Sequence, residues 1–203
     1  MSYSSDLTRN RILECAKEEF LNLGFQNVSM RKIAENAKVT TGALYNHFKN
    51  KEDLFDELVL NVANELFRLF KEEHENCTSI ESYDAENSYE VLSKSTDYVL
   101  DFIYDNFDEM KLIICSSQGT KYDNYVESLI EIEEKSSRNM LIKSKVNISE
   151  KDNFFIHVMS SSGMNNMFEA VKHDLSKKEA IYYMNKIKHF YYAGWSEMLG
   201  NKL

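Results

Sequence analysis

The sequence predicts an all-α fold, and three observations support this. The 203 residues include no proline and only six glycines, so little in the chain interrupts a helix. Apolar residues recur at three- and four-residue steps through long segments. No segment alternates apolar and polar residues in the manner of a half-buried strand.

The elements follow in order. A first helix is expected from about Thr8 to Leu23, with Ile12, Ala16, Phe20 and Leu23 on one face and Gly24 as a left-handed stop. A short second helix starts at Ser29, whose hydroxyl can accept from an orphan amide, and turns Ile33 and Ala34 inward. A third begins near Thr40 or Thr41 and ends around Phe48, and the intervening NAKV leaves room only for a tight turn. Asn50, followed by Lys51, Glu52 and Asp53, reads as the capped start of a long helix whose buried stripe is Leu54, Leu58, Val62, Leu66 and Leu69. Residues 75–87 are polar and aperiodic, as a loop would be. Asn87 with Glu90 suggests a capping box, opening a helix that carries Val91, Tyr98, Phe102 and Ile103. Further helices are expected at 107–116, 122–145, 150–173 and 177–199, the last two opened by Ser149 with Asp152 and Ser176 with Glu179.

Composition narrows the function classes. With 43% hydrophobic and 28% charged residues the chain is of ordinary globular type. No apolar run approaches the roughly 18–20 residues of a bilayer span, and MSYSSDLTRNR lacks a secretory apolar region, so a cytoplasmic protein with no membrane partner is expected. Cys15, Cys77 and Cys115 are far apart and form no CxxC pair, which points away from a disulfide framework or a zinc site. The net charge of −9 is unevenly spread. Residues 1–51 hold eight Lys or Arg against five Asp or Glu, a net of +3, whereas residues 52–203 hold sixteen against twenty-eight, a net of −12. A basic head thus precedes an acidic body.

Two short helices joined by a tight turn make a helix-turn-helix, in which the second helix enters the DNA major groove. Its leading end needs small or polar groups so that the backbone can approach base edges, and Thr40, Thr41, Gly42 and Ala43 meet that need. Tyr45, Asn46 and His47 then project from the exposed side while Leu44 and Phe48 turn inward. Arg31 lies in the first turn of the preceding helix, and an arginine can bond a guanine edge through two parallel hydrogen bonds.

The segment SMRKIAENAKVTTGALYNHFKNKEDLF resembles the N-terminal signature of the tetracycline-repressor (TetR) family of bacterial transcription regulators. The resemblance combines Gly24-Phe25, the capping Ser29, Ile33-Ala34, Leu44 to Phe48 and Lys51. It implies a three-helix DNA-binding head, here residues 1–52, and a helical effector-binding and dimerisation body, residues 53–203. It makes Tyr45, His47 and Lys51 phosphate binders, places Arg31, Thr40, Thr41, Gly42, Ala43 and Asn46 at or near the bases, and brings Ser29 into the interface as a cap. Met30 departs from the threonine common there, which removes one possible backbone contact. The partners implied are a double-stranded operator of near-palindromic sequence, a second copy of the chain and a small-molecule effector.

For the dimer, the final helix presents Met184, Ile187, Tyr191 and Trp195, and the helix before it Phe155, Met159, Ser162 and Phe168. Paired between subunits, these would make a four-helix interface. For the effector, Tyr98, Phe102, Tyr122, Tyr125, Met140, His157 and Asn165 mix aromatic walls with polar anchors, although each is also the residue type of a packed core. The acidic body would suit a lipophilic cation. No HExxH, glycine-rich phosphate loop or GxSxG occurs, so neither an enzyme nor a cofactor is expected. Two other readings stay open: a redox-sensing regulator acting through Cys77 or Cys115, and a head that binds protein instead of DNA.

Overall fold

A computed structural model of the chain describes residues 3–79, 85–143 and 148–198, with side-chain surroundings for 5–72, 93–143 and 148–197. Among these residues every regular element is a helix: α1 Tyr3–Asn27, α2 Met30–Asn36, α3 Thr41–His47, α4 Lys51–Ser79, α5 Ala85–Asp105, α6 Phe107–Cys115, α7 Tyr125–Lys143, α8 Glu150–Lys172 and α9 Lys177–Met198. The chain divides into two compact units, one of Met1–Asn64 with Asn106–Tyr125, the other of Glu65–Asp105 with Val126–Leu203.

In the first unit α1 packs on α2, α3 and α6. Ile12, Ala16 and Phe20 are fully buried as their spacing predicts, but Leu23 is 50% exposed. The reason is Gly24, whose φ of 73° and ψ of 157° are positive-φ but extended, so it redirects the chain instead of capping it. One more turn follows, and Phe25 takes the last buried position in place of Leu23. Ser29 then caps α2 by accepting from the Lys32 amide at 3.2 Å, and Thr40 caps α3 by accepting from the Ala43 amide at 3.1 Å. The turn between them contains Lys38 at φ 54°, a left-handed conformation that costs a residue with a Cβ.

At the start of α4, Asn50 Oδ1 accepts from the Asp53 amide at 2.7 Å and the Asp53 carboxylate accepts from the Lys49 amide at 2.9 Å. Beyond it the buried stripe differs from the expected one. Leu54, Leu66 and Leu69 are buried, but Leu58 and Val62 are only half-buried, and Phe55, Val59, Ala63 and Phe70 complete the core. A strict four-residue step drifts by about 40° each time around a 3.6-residue helix, so the stripe must alternate threes and fours.

In the second unit α9 packs on α5 and α8. Leu100, Ile103, Ile156, Phe168, Val171 and Ala180 are fully or almost fully buried. The capping pairs open α8 and α9 as expected: the Ser149 amide donates to Asp152 at 2.7 Å and the Ser176 amide to Glu179 at 2.9 Å. Polar ties fasten α9 to α5, with Lys188 Nζ 2.6 Å from Asp97 and Lys177 Nζ 2.9 Å from Asp101. The Tyr104 hydroxyl donates to the Leu175 carbonyl at 2.7 Å.

Three boundaries are corrected. The expected loop at 75–87 is largely helix, since α4 runs to Ser79 and α5 begins at Ala85, while 80–84 lie outside the described residues. Asn87 therefore sits inside α5 rather than at its cap. The helix expected from 122 starts at Tyr125, because 117–125 close hydrogen-bonded turns first, among them Thr120 to Ser117 at 2.9 Å and Tyr125 to Tyr122 at 3.0 Å. Two residues expected at a dimer interface, Phe168 and Met184, are 0% and 4% exposed and belong to the second unit's own core.

Backbone strain sets the expected effect of two substitutions. Lys38→Gly removes a left-handed penalty of about 1–2 kcal/mol, partly offset by the looser unfolded chain, and should raise the urea midpoint. Gly24→Ala meets no atom within 4 Å yet places a Cβ at φ 73°, so it should lower stability by about 1–3 kcal/mol, read in the same titration.

Candidate nucleic-acid interface

The α2–α3 pair separates its faces cleanly. Met30, Ile33, Ala34, Leu44 and Phe48 are buried, whereas Ser29, Arg31, Thr40, Thr41, Gly42, Tyr45 and Asn46 are exposed, and Ala43 and His47 lie half-buried between the two sets. Thr41 with Tyr45, and Gly42 with Asn46, are four apart and so stack along one exposed ridge. A Cβ built at Gly42 meets nothing within 4 Å, so the leading end of α3 is unobstructed.

The ridge is held from behind by an aromatic cluster. Phe20, Phe25 and Phe55 bring together α1, its last turn and α4, with ring centroids 5.1 Å apart for Phe20–Phe55, 5.5 Å for Phe25–Phe55 and 5.9 Å for Phe20–Phe25. Lys51 closes the cluster, its ammonium 4.4 Å from the Phe25 ring centre. The same ammonium donates to the carbonyls of Phe25 at 2.7 Å, Val28 at 3.0 Å and Gln26 at 3.3 Å. Arg9 fastens the other end, pairing with Glu57 at 2.5 Å and lying 5.3 Å from the centre of the Phe48 ring. Neither the Lys51 carbonyl contacts nor the role of Arg9 was visible in the sequence, because each joins segments distant along the chain.

A family profile described as "Bacterial regulatory proteins, tetR family" matches residues 12–58, the stretch that contains this ridge and its support. The head is similar to that of tetR-family regulators. HTH-type transcriptional regulators of Staphylococcus aureus strains bovine RF122 / ET3-1 and USA300 are each 32% identical over 120 residues, which is 59% of this chain and 59% of each relative. The match thus spans less than two thirds of those relatives. Among solved structures, a transcriptional regulator of the TerR/AcrR family from Aquifex aeolicus VF5 superposes with a TM-score of 0.57 at 21% identity, covering 90% of this chain and 96% of that one. NalD, the secondary repressor of the MexAB-OprM multidrug efflux pump in Pseudomonas aeruginosa, gives 0.53 at 18% identity over 91% and 95%. These likenesses carry the similarity in fold through the helical remainder.

The residues expected to line an effector site are dispersed. Tyr122 and Tyr125 lie in the same unit as the head, where they are 6% and 9% exposed. The Tyr122 hydroxyl donates to Asp56, and that of Tyr125 to the Ala63 carbonyl at 2.7 Å, so both phenols hold the segment after α6 against α4. In the second unit Tyr98 is 57% exposed, Phe102 and Met140 are half-buried, and Asn165 donates to the Ser161 carbonyl of its own helix at 2.9 Å. His157 Nδ1 lies 2.6 Å from Glu134 Oε1 at the surface of the unit. A group the sequence did not single out is Glu133, whose carboxyl is pushed up by burial against the smaller opposing effect of the Ser137 hydroxyl.

Cys115 is exposed at the end of α6, Cys15 is half-buried with its thiol pushed up by burial, and Cys77 lies outside the residues with described side chains. Among the described residues no group of three or more His, Cys, Asp or Glu is placed to hold a metal ion, and no helix is long and apolar enough to cross a membrane.

The Asp56 node in the same unit gives a pH signature. Burial pushes this carboxyl upward, but hydrogen bonds from Lys121 and Tyr122 and the charge of Lys121 outweigh it and hold it below the ordinary 3.8. A depressed carboxylate stabilises the fold above its unfolded value and loses that contribution as pH falls through its folded value. Asp56→Asn should therefore lower the urea midpoint at neutral pH and make its decline below about pH 4 shallower than in the parent.

Proposed function

We propose that this chain is a ligand-responsive transcriptional repressor that binds a pseudo-palindromic operator as a homodimer and is released from it by a small-molecule effector. The observation behind this reading is the exposed ridge of α3, small and polar at Thr41 and Gly42, with hydrogen-bonding groups at Tyr45 and Asn46, and backed by the buried Leu44 and Phe48. Such a ridge can enter a major groove, with Arg31 on α2 reaching a base edge and Ser29, Tyr45 and His47 on the flanking backbone. Four cations of the head, Arg11, Arg31, Lys38 and Lys49, make no ion pair among the described residues and are open to phosphate oxygens.

One ridge spans too few base pairs to be selective, and a dimer with heads about 34–36 Å apart would double it. The face offered for that dimer lies on α8 and α9, where Val158 is 42%, Tyr182 66% and Phe190 71% exposed. Phe155 and Trp195, 5.6 Å apart edge to face, flank it along with Met159, Ser162, Ile187 and Tyr191. Exposed aromatics of this size call for a cover, and a second copy supplies one by two-fold symmetry. Because α4 is continuous from the head into the second unit, an effector that binds the second unit can act on the head through this helix as a population shift.

Two measurements test the reading. Purified protein should protect a near-palindromic duplex in a salt-dependent manner, and Arg31→Ala should cost about 1–3 kcal/mol and relax specificity at one base pair per half-site. In sedimentation the protein should be a dimer and Phe190→Asp a folded monomer. A parent protein that is monomeric, or that binds no duplex at low salt, would overturn the proposal.

A further inference from the structure

Lys51 matches a position at which the family pattern implies a phosphate contact, yet its ammonium has three N–H donors and three carbonyl oxygens already within 2.7–3.3 Å. Phe25 fills the remaining side, with its ring centre 4.4 Å away. A phosphate oxygen could be reached only by giving up one of these bonds. The carbonyls themselves have few alternatives. They lie after the non-helical Gly24 and before the Ser29 cap, where the last turn of α1 has run out of helical amides. The ammonium thus supplies what the end of α1 lacks, and it does so from the first residue of α4, where the partial positive charge of the helix start would otherwise disfavour a cation.

Resting on the DNA-binding reading above, we propose that Lys51 is a positioning residue for the recognition helix and neutralises no phosphate. Its contacts pin the end of α1, the entry to α2 and the start of α4 at one point. The α2–α3 pair is strung between that point and Phe48, which is buried three residues before Lys51. The clamp therefore fixes the angle at which Arg31 and the Thr41–Asn46 ridge are presented. Losing it leaves the count of phosphate contacts unchanged but removes the alignment on which base readout depends.

The test compares the parent, Lys51→Met and Lys51→Arg as full-length proteins on two duplexes, one selected by the parent from random-sequence DNA and one scrambled, over a salt series. The expected result for Lys51→Met is a loss of about tenfold or more in the ratio of selected to scrambled affinity, with the slope of log affinity against log salt unchanged. Lys51→Arg keeps the charge, but its planar fork cannot converge on three carbonyls, so it should lose the ratio as well. A phosphate contact would instead weaken both duplexes, reduce the slope by about 0.9 per subunit and be rescued by arginine. A purely stabilising role would lower both affinities by one common factor, in step with the fraction folded by circular dichroism. Either of those outcomes, or no change at all, overturns the proposal. A parent that selects no duplex removes the DNA reading itself, and the inference with it.

Discussion

The head is organised around the contact of Phe20, Phe25 and Phe55. Each ring is at most 5% exposed, and burying three such side chains contributes on the order of 1.5–3 kcal/mol apiece, beyond which the edge-to-face geometry of Phe55 against its two partners adds a little more. The cluster forms only because Gly24 turns the chain at a φ that other residues resist, swinging Phe25 back under the helix that precedes it. With Phe25 in place, the carbonyls beyond it face the start of α4, where Lys51 meets them. The position of the short α2–α3 pair then follows from packing. Seven-residue helices are far below the length that is stable alone, so their orientation is whatever the cluster imposes.

Much of this was legible in the sequence, and the pattern of successes has a physical cause. Caps are local contacts between a side chain and a backbone amide three residues away, in either direction, so Ser29, Thr40, Asn50, Ser149 and Ser176 could be read from short windows. The inward and outward residues of α3 were legible for the same reason, since seven residues leave no room for phase drift. Along the 29 residues of α4 drift accumulates, and there the expected stripe lost Leu58 and Val62. Partners distant in sequence were not legible. Tyr122 and Tyr125 were plausible cavity walls by composition, but their hydroxyls are bonded to α4 more than sixty residues away.

The second unit shows a different limit. Periodicity in α8 and α9 identifies apolar faces, but a helix with apolar residues around much of its girth cannot say which face its own chain will cover. Phe168 and Met184 go to the interior, while Val158, Tyr182 and Phe190 stay outside. The polar ties explain the choice for α9. Lys177 and Lys188 must reach the carboxylates of α5, and an eleven-residue spacing puts both on the same face, so the aromatics on the far side are turned away from α5.

The same sorting of charges bears on how an acidic chain can engage a polyanion. The cations of the head fall into two groups. Arg9, Lys17, Lys32 and Lys51 are engaged within the fold, by Glu57, by Asp108 and Glu109, by Glu35, and by backbone carbonyls. Arg11, Arg31, Lys38 and Lys49 have no such partner among the described residues. Net charge averages over both groups and is a poor guide to binding, because at physiological salt a charge acts over roughly 8 Å and only cations that can come that close to a phosphate matter. The engaged set holds the shape of the head and the open set supplies its attraction. A residue can move between the sets without altering the total of −9, which is why the contacts of Lys51 bear on its role when its charge alone does not.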